Sequence, residues 1–234
     1  IFSIYDDREN EVRKLIKKAK KGINRVSWDL RYLWPRPIKP LKEFKPDKKV
    51  EGGILILPGT YQVKMDLVQE GVRKEMVGKQ TFKVKRLSNT TLPAKDEKEL
   101  ALFLEKIKEI ARITWGTQSL HTELSEKVNS LEETALQTND IPIEIKEKLV
   151  AIRKELQSVK WQLYGEQPKA SYEETQPAAM AIIHRLNSFI NVHNQSTSAL
   201  TKRQIDGYQI LKEKLQPIIS KLYNIANRQI PAIE

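Results

Sequence analysis

The period of the hydrophobic pattern changes near residue 92, and this change limits the fold more than any other feature of the chain. Before that point apolar and polar residues alternate, as they do over residues 61–67, YQVKMDL. This alternation is the period of a half-buried strand, whereas the spacing of three and four that follows is typical of amphipathic helices. The sequence therefore predicts an α+β chain in two domains, a β-sandwich over residues 1–92 and an antiparallel helical bundle over residues 93–234.

The second part has four stretches with helical spacing, so the bundle is predicted to contain about four helices. Asp96 with Glu99, and Thr201 with Gln204, each match the capping-box pattern that opens a helix. The other predicted boundaries are a second helix from near Asp140 to Gly165 and a third helix that opens at Pro177.

Charge is distributed as unevenly as hydrophobicity. The net charge of +11 arises wholly in residues 1–92, which hold 22 Lys and Arg against 11 Asp and Glu, while residues 93–234 hold 19 of each class. This asymmetry supports two units of different kind, and it directs the search for anionic partners to the first of them.

Several kinds of chemistry are excluded or disfavoured by the residues present. The chain has no cysteine, which excludes disulfides, thiolate metal sites and Cys nucleophiles, and it has no apolar run of the ~20 residues that a membrane span needs. The three histidines, His121, His184 and His193, are not spaced as metal ligands. Asp29 lacks the second carboxylate that a glycosidase requires. We predict no catalytic, cofactor-binding or metal-binding residue, and no enzyme activity.

The stretch GINRVSWDLRY, residues 22–32, combines the residue types of a binding site with the pattern of a strand. Residues 23–30 alternate, which predicts a strand with Trp28 on its buried face and Asp29 on its wetter face. Downstream, Pro58 and Gly59 suit a type II turn, followed by an inward Tyr61, and residues 69–71 are predicted to form a hairpin turn. The residues to which we assign structural roles are Gly22, Asn24, Trp28, Asp29, Arg31, Pro58, Gly59 and Tyr61.

Two binding alternatives stay open beside the structural interpretation. The cations of residues 13–37 predict a basic surface for acidic polymers, although a buried Trp28 could not stack on bases and nucleic acid is therefore the weaker form of this hypothesis. A carbohydrate-binding module would need exposed aromatic rings. The aromatic residues that could bind a ligand or cover a seam between domains are Tyr32, Trp34, Trp115 and Trp161.

The first part of the chain also resembles a known kind of domain. The pattern IYDDRENEVRKL, KKGINRVSWDLRY and LPGTYQVKM resembles β-sandwich modules of the Ig/fibronectin type, including the Ig-like domain of the flagellar hook-capping protein. It is still more similar to the C-terminal region, a sandwich with a helical tail, of exported bacterial proteins with Asp-box (BNR) or sortilin-like repeats. At the first turn Glu9 and Asn10 stand where the pattern has Gly. The positions that carry the resemblance are Ile4, Asp6, Val12, Arg13, Gly22, Asn24, Trp28, Asp29, Arg31, Tyr32, Pro58, Gly59, Tyr61 and Val63.

This resemblance implies a non-catalytic accessory region of a larger, glycosyl hydrolase-like protein located in the periplasm or at the cell surface. Its partner would be an N-terminal repeat propeller of the same parent chain, and that propeller would hold any catalytic site. The resemblance leaves open a further partner, either a protein or a glycan. No cofactor is implied. Because the sequence opens on the strand-like residues IFSI without a Met, we expect it to be a fragment of such a parent.

Overall fold

The computed structural model describes residues 1–34, 52–87, 96–166 and 179–233, and in these ranges the chain is α+β. The described strands are β1 (Phe2–Tyr5), β2 (Glu11–Leu15), β3 (Arg31–Leu33), β4 (Gly52–Leu55), β5 (Gly59–Gln69) and β6 (Val72–Val84). The described α-helices are α1 (Glu97–Gln137), α2 (Ile143–Tyr164), α3 (Ile182–Gln195) and α4 (Lys202–Asn224), and a π-helical turn at Ile225–Gln229 follows α4. The predicted succession of strands and then helices is confirmed.

The strands form antiparallel sheets. One sheet has the order β2-β1-β5-β6, and β3 pairs with β4 in a second, two-stranded sheet. The β5–β6 hairpin turns at Glu70 and Gly71, whose φ angles of 51° and 79° are both positive. Two central residues with positive φ are the signature of the type I′ turn, whose twist matches that of the strands it joins. The predicted hairpin turn at this place is confirmed.

The predicted strand over residues 23–30 is wrong. These residues belong to no strand, and the neighbouring strand β3 begins only at Arg31. Leu30 has φ of 54°, a left-handed conformation that interrupts an extended ladder. Side-chain hydrogen bonds, described below, hold this segment in place of a strand partner.

Helix boundaries follow the capping residues closely. Asp96 accepts hydrogen bonds from the backbone N–H groups of Lys98 and Glu99 (2.8 and 3.2 Å), and Thr201 with Gln204 forms the complete predicted capping box. Gly165 ends α2 with φ of 84° and donates its backbone N–H to the Trp161 carbonyl.

The starts of the second and third helices are predicted near Asp140 and at Pro177. The second helix begins at Ile143 rather than near Asp140, because Asp140 has φ of 62° and Pro142 is still extended. The predicted opening of the third helix at Pro177 lies outside the described residues.

Contacts divide the chain into two compact units. The first comprises Ile1–Lys106 with Ile190–Leu200, and the second comprises Ile107–Phe189 with Thr201–Glu234. The predicted domain boundary between residues 92 and 93 falls outside the described residues, so it stays a prediction.

Two apolar clusters lie among the described residues of the first unit. One has Ile4, Val12, Ile56 and Tyr61 at its centre, and the other has Ile54, Leu100 and Leu104. Tyr32 packs against both of them. This aromatic side chain therefore connects the strands of the first unit to the beginning of α1.

The second unit is built from helices with buried stripes. Leu163, Leu186, Leu211 and Leu222 have no exposed surface. In α4 the buried stripe recurs at spacings of three and four, as the sequence pattern predicts. Among the described residues, no helix combines the length and the apolar character that crossing a bilayer would require.

Candidate functional site

The GINRVSWDLRY stretch begins with a loop that is tied together by one side chain. The Asn24 side-chain amide donates to the carbonyls of Lys20 (2.8 Å) and Gly22 (3.0 Å), and its oxygen accepts the Lys20 backbone N–H (3.0 Å). Gly22 has φ of 91°, which side chains disfavour, so glycine is required for this turn. The predicted loop-ordering roles of Gly22 and Asn24 thus have a direct geometric counterpart.

Trp28 is partly buried and packs against the first apolar cluster. Its ring meets Tyr61 and Phe82 edge-on, with centroids 5.8 and 6.2 Å apart, a favoured arrangement of aromatic rings. The indole N–H donates to the Arg31 carbonyl (3.1 Å). Trp28 thus points inward as expected, although it reaches the core from an irregular segment.

Asp29 is paired with a buried cation. Its carboxylate lies 3.6 Å from the Arg13 guanidinium, and Arg13 is only 3% exposed. Arg13 also donates to the Tyr32 carbonyl at 3.5 Å. A buried charge is tolerated only when it is paired and hydrogen-bonded, so Asp29 serves to neutralise Arg13.

Arg31 and Asp29 also fit closely against the backbone of β4. Arg31 donates to the Gly53 carbonyl (3.1 Å). A Cβ atom placed on Gly52 would lie 2.5 Å from Asp29 Oδ2 and 2.8 Å from Arg31 Cβ. Only glycine fits at position 52. The predictions did not include Gly52 or the burial of Arg13, and the one local signal was the Gly52-Gly53 pair at the start of a strand.

The predicted type II turn at Pro58 and Gly59 is wrong, because that turn needs a positive φ at its second central residue, whereas Gly59 has none and is the first residue of β5. Tyr61 nevertheless points inward, as predicted. Its hydroxyl donates to the Leu57 carbonyl (2.7 Å), four residues earlier. Burial raises the pKa of the Tyr61 hydroxyl, and burial together with the Glu105 charge raises the pKa of Tyr32 to about 12. Both phenols therefore stay protonated at neutral pH, in the form that can donate hydrogen bonds.

The face of the β5–β6 hairpin opposite to Tyr61 carries an ion network around Asp66, which is buried, and the sequence did not mark this network. Lys64 lies 2.6 Å from the Glu75 carboxylate, and Asp66 accepts hydrogen bonds from Arg73. The Arg73 hydrogen bonds hold the pKa of Asp66 below its usual value. These charges satisfy one another along neighbouring strands, which is a structural arrangement rather than a cleft.

The four aromatic residues considered as ligand platforms differ in exposure. Trp115 is only 8% exposed, because its position falls on the buried stripe of α1. Tyr32 and Trp34 are partly buried. Trp161 is 47% exposed and lines an open groove of about 850 Å³ between α1 and α2, together with Tyr164 and Gln157.

The histidines do not converge. His121 is buried and its Nε2 lies 3.0 Å from the Leu156 carbonyl, His193 is buried beside the Phe103 ring, and His184 is exposed. Burial lowers the pKa of both His121 and His193. Within the described ranges, no group of three or more His, Asp or Glu side chains is placed to hold a metal ion.

These two buried histidines predict a loss of stability in weak acid. In the unfolded chain a histidine titrates near a pKa of about 6.5, so depressed folded-state values mean that the unfolded state binds more protons below that pH. The contribution of these two histidines to the free energy of unfolding should be independent of pH above about 6.5. It should fall as the pH is lowered towards their folded-state pKa values. Urea unfolding followed by circular dichroism over this range measures the effect.

A double variant, His121→Gln with His193→Gln, should flatten this pH dependence, because glutamine cannot bind the extra proton. The exposed His184→Gln change is the matched control and should leave the slope unchanged. A double variant with the wild-type slope would contradict the assignment.

The chain matches no protein-family description, no curated protein and no solved structure.

Proposed function

We propose that this chain is a non-catalytic accessory region that supports the orientation and stability of a neighbouring domain. The proposal rests on one observation, which is that the polar and aromatic side chains of the GINRVSWDLRY stretch bond to other parts of the same framework. Trp28 bonds the Arg31 carbonyl, Asp29 pairs with the buried Arg13, and Asn24 ties its own loop. The residue types that a binding or catalytic site would use are engaged in building the framework.

The geometry around Tyr61 supports an Ig-like sandwich as the fold of the first unit. A hydroxyl that bonds backbone a few residues upstream, at the corner before a strand, is the arrangement known as a tyrosine corner in such sandwiches. Tyr61 makes this bond to Leu57, four residues earlier, where the chain enters β5. At the first turn Glu9 adopts φ of 63°, the conformation that favours the Gly of the resembled pattern.

The parent protein proposed here is an exported Asp-box or sortilin-like repeat protein, with the chain following its propeller at the periplasmic or cell-surface side. The support is the resemblance of fourteen positions in the first unit to that pattern. In this setting the neighbouring propeller is the partner, and any glycoside hydrolysis belongs to it.

Two measurements test the proposal. The coding sequence that precedes the Ile1 codon in the same reading frame should encode Asp-box repeats. The domain formed by those repeats should have a higher melting temperature when this chain is attached to it than when it is alone. The separate 234-residue chain should show only background hydrolysis of a panel of glycosides. Turnover by the chain alone, lost in a correctly folded Asp29→Asn variant, would overturn the accessory role.

The exposure of Trp161 favours one second candidate, a carbohydrate-binding surface. An exposed indole can stack on a sugar ring, and the groove beside it offers the amides of Asn129 and Gln157 for hydrogen bonds.

A glycan array should then give signals above background. The Trp161→Ala change should lower the affinity for the bound glycans at least about tenfold, as the loss of other aromatic stacking contacts does. Trp115→Phe, a change at a buried ring, is the control that should retain binding. An array without signals above background would exclude this candidate.

A further inference from the structure

A basic loop, residues 17–25, forms a strongly charged surface of the first unit. Its sequence KKAKKGINR contains five cations and no acid, and every residue in it is exposed. The cations are Lys17, Lys18, Lys20, Lys21 and Arg25. None of them forms an ion pair with a carboxylate in the part of the chain that the structure describes.

The loop is held in one conformation rather than left as an open tail. Three hydrogen bonds join Asn24 to Lys20 and Gly22, and the Lys17 ammonium donates to the Arg25 carbonyl at 2.8 Å. These bonds bring the two ends of the loop, residues 17 and 25, together, so that the loop projects from the surface as one hydrogen-bonded turn. The charges are therefore presented together, with less conformational entropy left to lose when a partner binds.

The tip of this projection is apolar. Ile23 is fully exposed, at 101% of its reference surface, and it lies between Gly22 and Asn24 at the turn. A lone exposed aliphatic side chain is ordinary on a protein surface. Here it stands at the turn of a hydrogen-bonded loop, in a run of cations that have no ionic partners among the described residues, which is a less common combination.

The surface that satisfies both features is an anionic lipid bilayer. Lysine and arginine near such a surface are attracted by its negative potential, and an aliphatic side chain gains free energy by entering the boundary between headgroups and acyl chains. A soluble polyanion would satisfy the cations and leave Ile23 in water. A second copy of the loop would be repelled by its own charge.

We propose that the basic loop docks on anionic membrane surfaces, with Ile23 inserted at the interface and the cations over the lipid headgroups. This contact is peripheral and does not depend on the accessory role proposed above. A single partner then accounts for the exposure of Ile23 and for the loop cations, which have no ionic partners in the described ranges.

Vesicle co-sedimentation of the whole chain tests the proposal. Binding is expected to vesicles of phosphatidylcholine with about 30% phosphatidylglycerol and not to pure phosphatidylcholine, and it should weaken between about 0.05 and 0.5 M salt. Lys20→Gln with Lys21→Gln should lower the partition coefficient about 30-fold. Ile23→Ser should lower it about tenfold without any change in charge.

Matched controls separate the loop from general charge and general apolarity. Lys74→Gln with Lys83→Gln removes two exposed cations from β6, which lack ionic partners among the described residues, and should change binding less than about threefold. Ile143→Ser removes an aliphatic side chain that is 61% exposed and should leave binding unchanged. Circular dichroism verifies that each variant is folded.

Two results would overturn the proposal. One is the absence of binding to the anionic vesicles at low salt. The other is an Ile23→Ser variant that binds as the wild type does while the lysine variant does not, since that outcome means a purely electrostatic contact. Tight binding to heparin without vesicle binding would identify a soluble polyanion as the partner instead.

Discussion

Replacing Trp28 with alanine is expected to lower the free energy of unfolding by about 3 kcal/mol. The ring packs against the cluster of Ile4, Val12, Ile56 and Tyr61 and meets Tyr61 and Phe82 edge-on. The change would leave a cavity in that cluster. It would also remove the indole hydrogen bond to the Arg31 carbonyl, which anchors the segment before β3. Urea denaturation followed by circular dichroism measures the loss.

Trp161→Ala is the matched control for this prediction. It removes the same side chain from a position that is 47% exposed, so the expected change in unfolding free energy is below about 1 kcal/mol. Equal effects of the two changes, or a Trp28→Ala protein as stable as the wild type, would mean that Trp28 is not part of the core. In that case the ring would be available to a ligand, and the structural interpretation of the GINRVSWDLRY stretch would fail.

Gly52→Ala is expected to destabilise the first unit by about 2 kcal/mol, although alanine is only one methyl group larger. The new Cβ atom would lie 2.5 Å from Asp29 Oδ2 and 2.7 Å from Arg31 Cδ. Asp29 cannot move away without weakening its pairing with the buried Arg13, and Arg31 is held by the Gly53 carbonyl. The clash therefore acts on the ion pair as well as on local packing.

Gly78→Ala on β6 is the control for the Gly52 prediction. Its Cβ would meet Glu75 Oε1 at 3.5 Å, an ordinary contact. Replacing glycine in a strand by alanine at an unhindered position should stabilise the fold by up to about 1 kcal/mol. Opposite signs for the two changes in denaturant titrations would support the packing of Asp29 and Arg31 on Gly52, whereas two stabilising changes would refute it.

The predictions that held came from patterns contained within a few consecutive residues. Glu70 and Gly71 form the expected hairpin turn, and Thr201 and Gln204 form the expected capping box. Gly165 ends α2 as a helix-terminating glycine does. Such signals act between neighbours in the chain, so their physical cause is visible in the sequence itself.

The predictions that failed needed knowledge of distant contacts. The alternation over residues 23–30 predicted a strand, yet no strand partner runs beside it in the described chain, and hydrogen bonds of Asn24 and Trp28 set its path. The candidate site depends on distant contacts as well. Arg31 and Gly53 are separated by 22 positions, and Arg13 and Asp29 meet only because the chain returns beside β2.

The exposure of Trp115 and Trp161 follows the helical period. Trp115 lies four positions after Ala111, on the apolar stripe of α1, and is buried. Trp161 lies between Val159 and Leu163, off the apolar stripe of α2, and is 47% exposed. The spacing of apolar residues in the sequence therefore already distinguishes these two rings.

By itself, the sequence determined the α+β class, the order of strands before helices, the capped helix ends and the placement of the net charge in the first 92 residues. These properties follow from local periodicity, from hydrogen bonds between near neighbours and from composition. Only the tertiary structure decided that Arg13 is buried against Asp29, that Gly52 has no room for a side chain, and that Ile23 stands exposed in the basic loop. Burial and pairing are set by segments distant in the chain, because they depend on which surfaces the fold brings together.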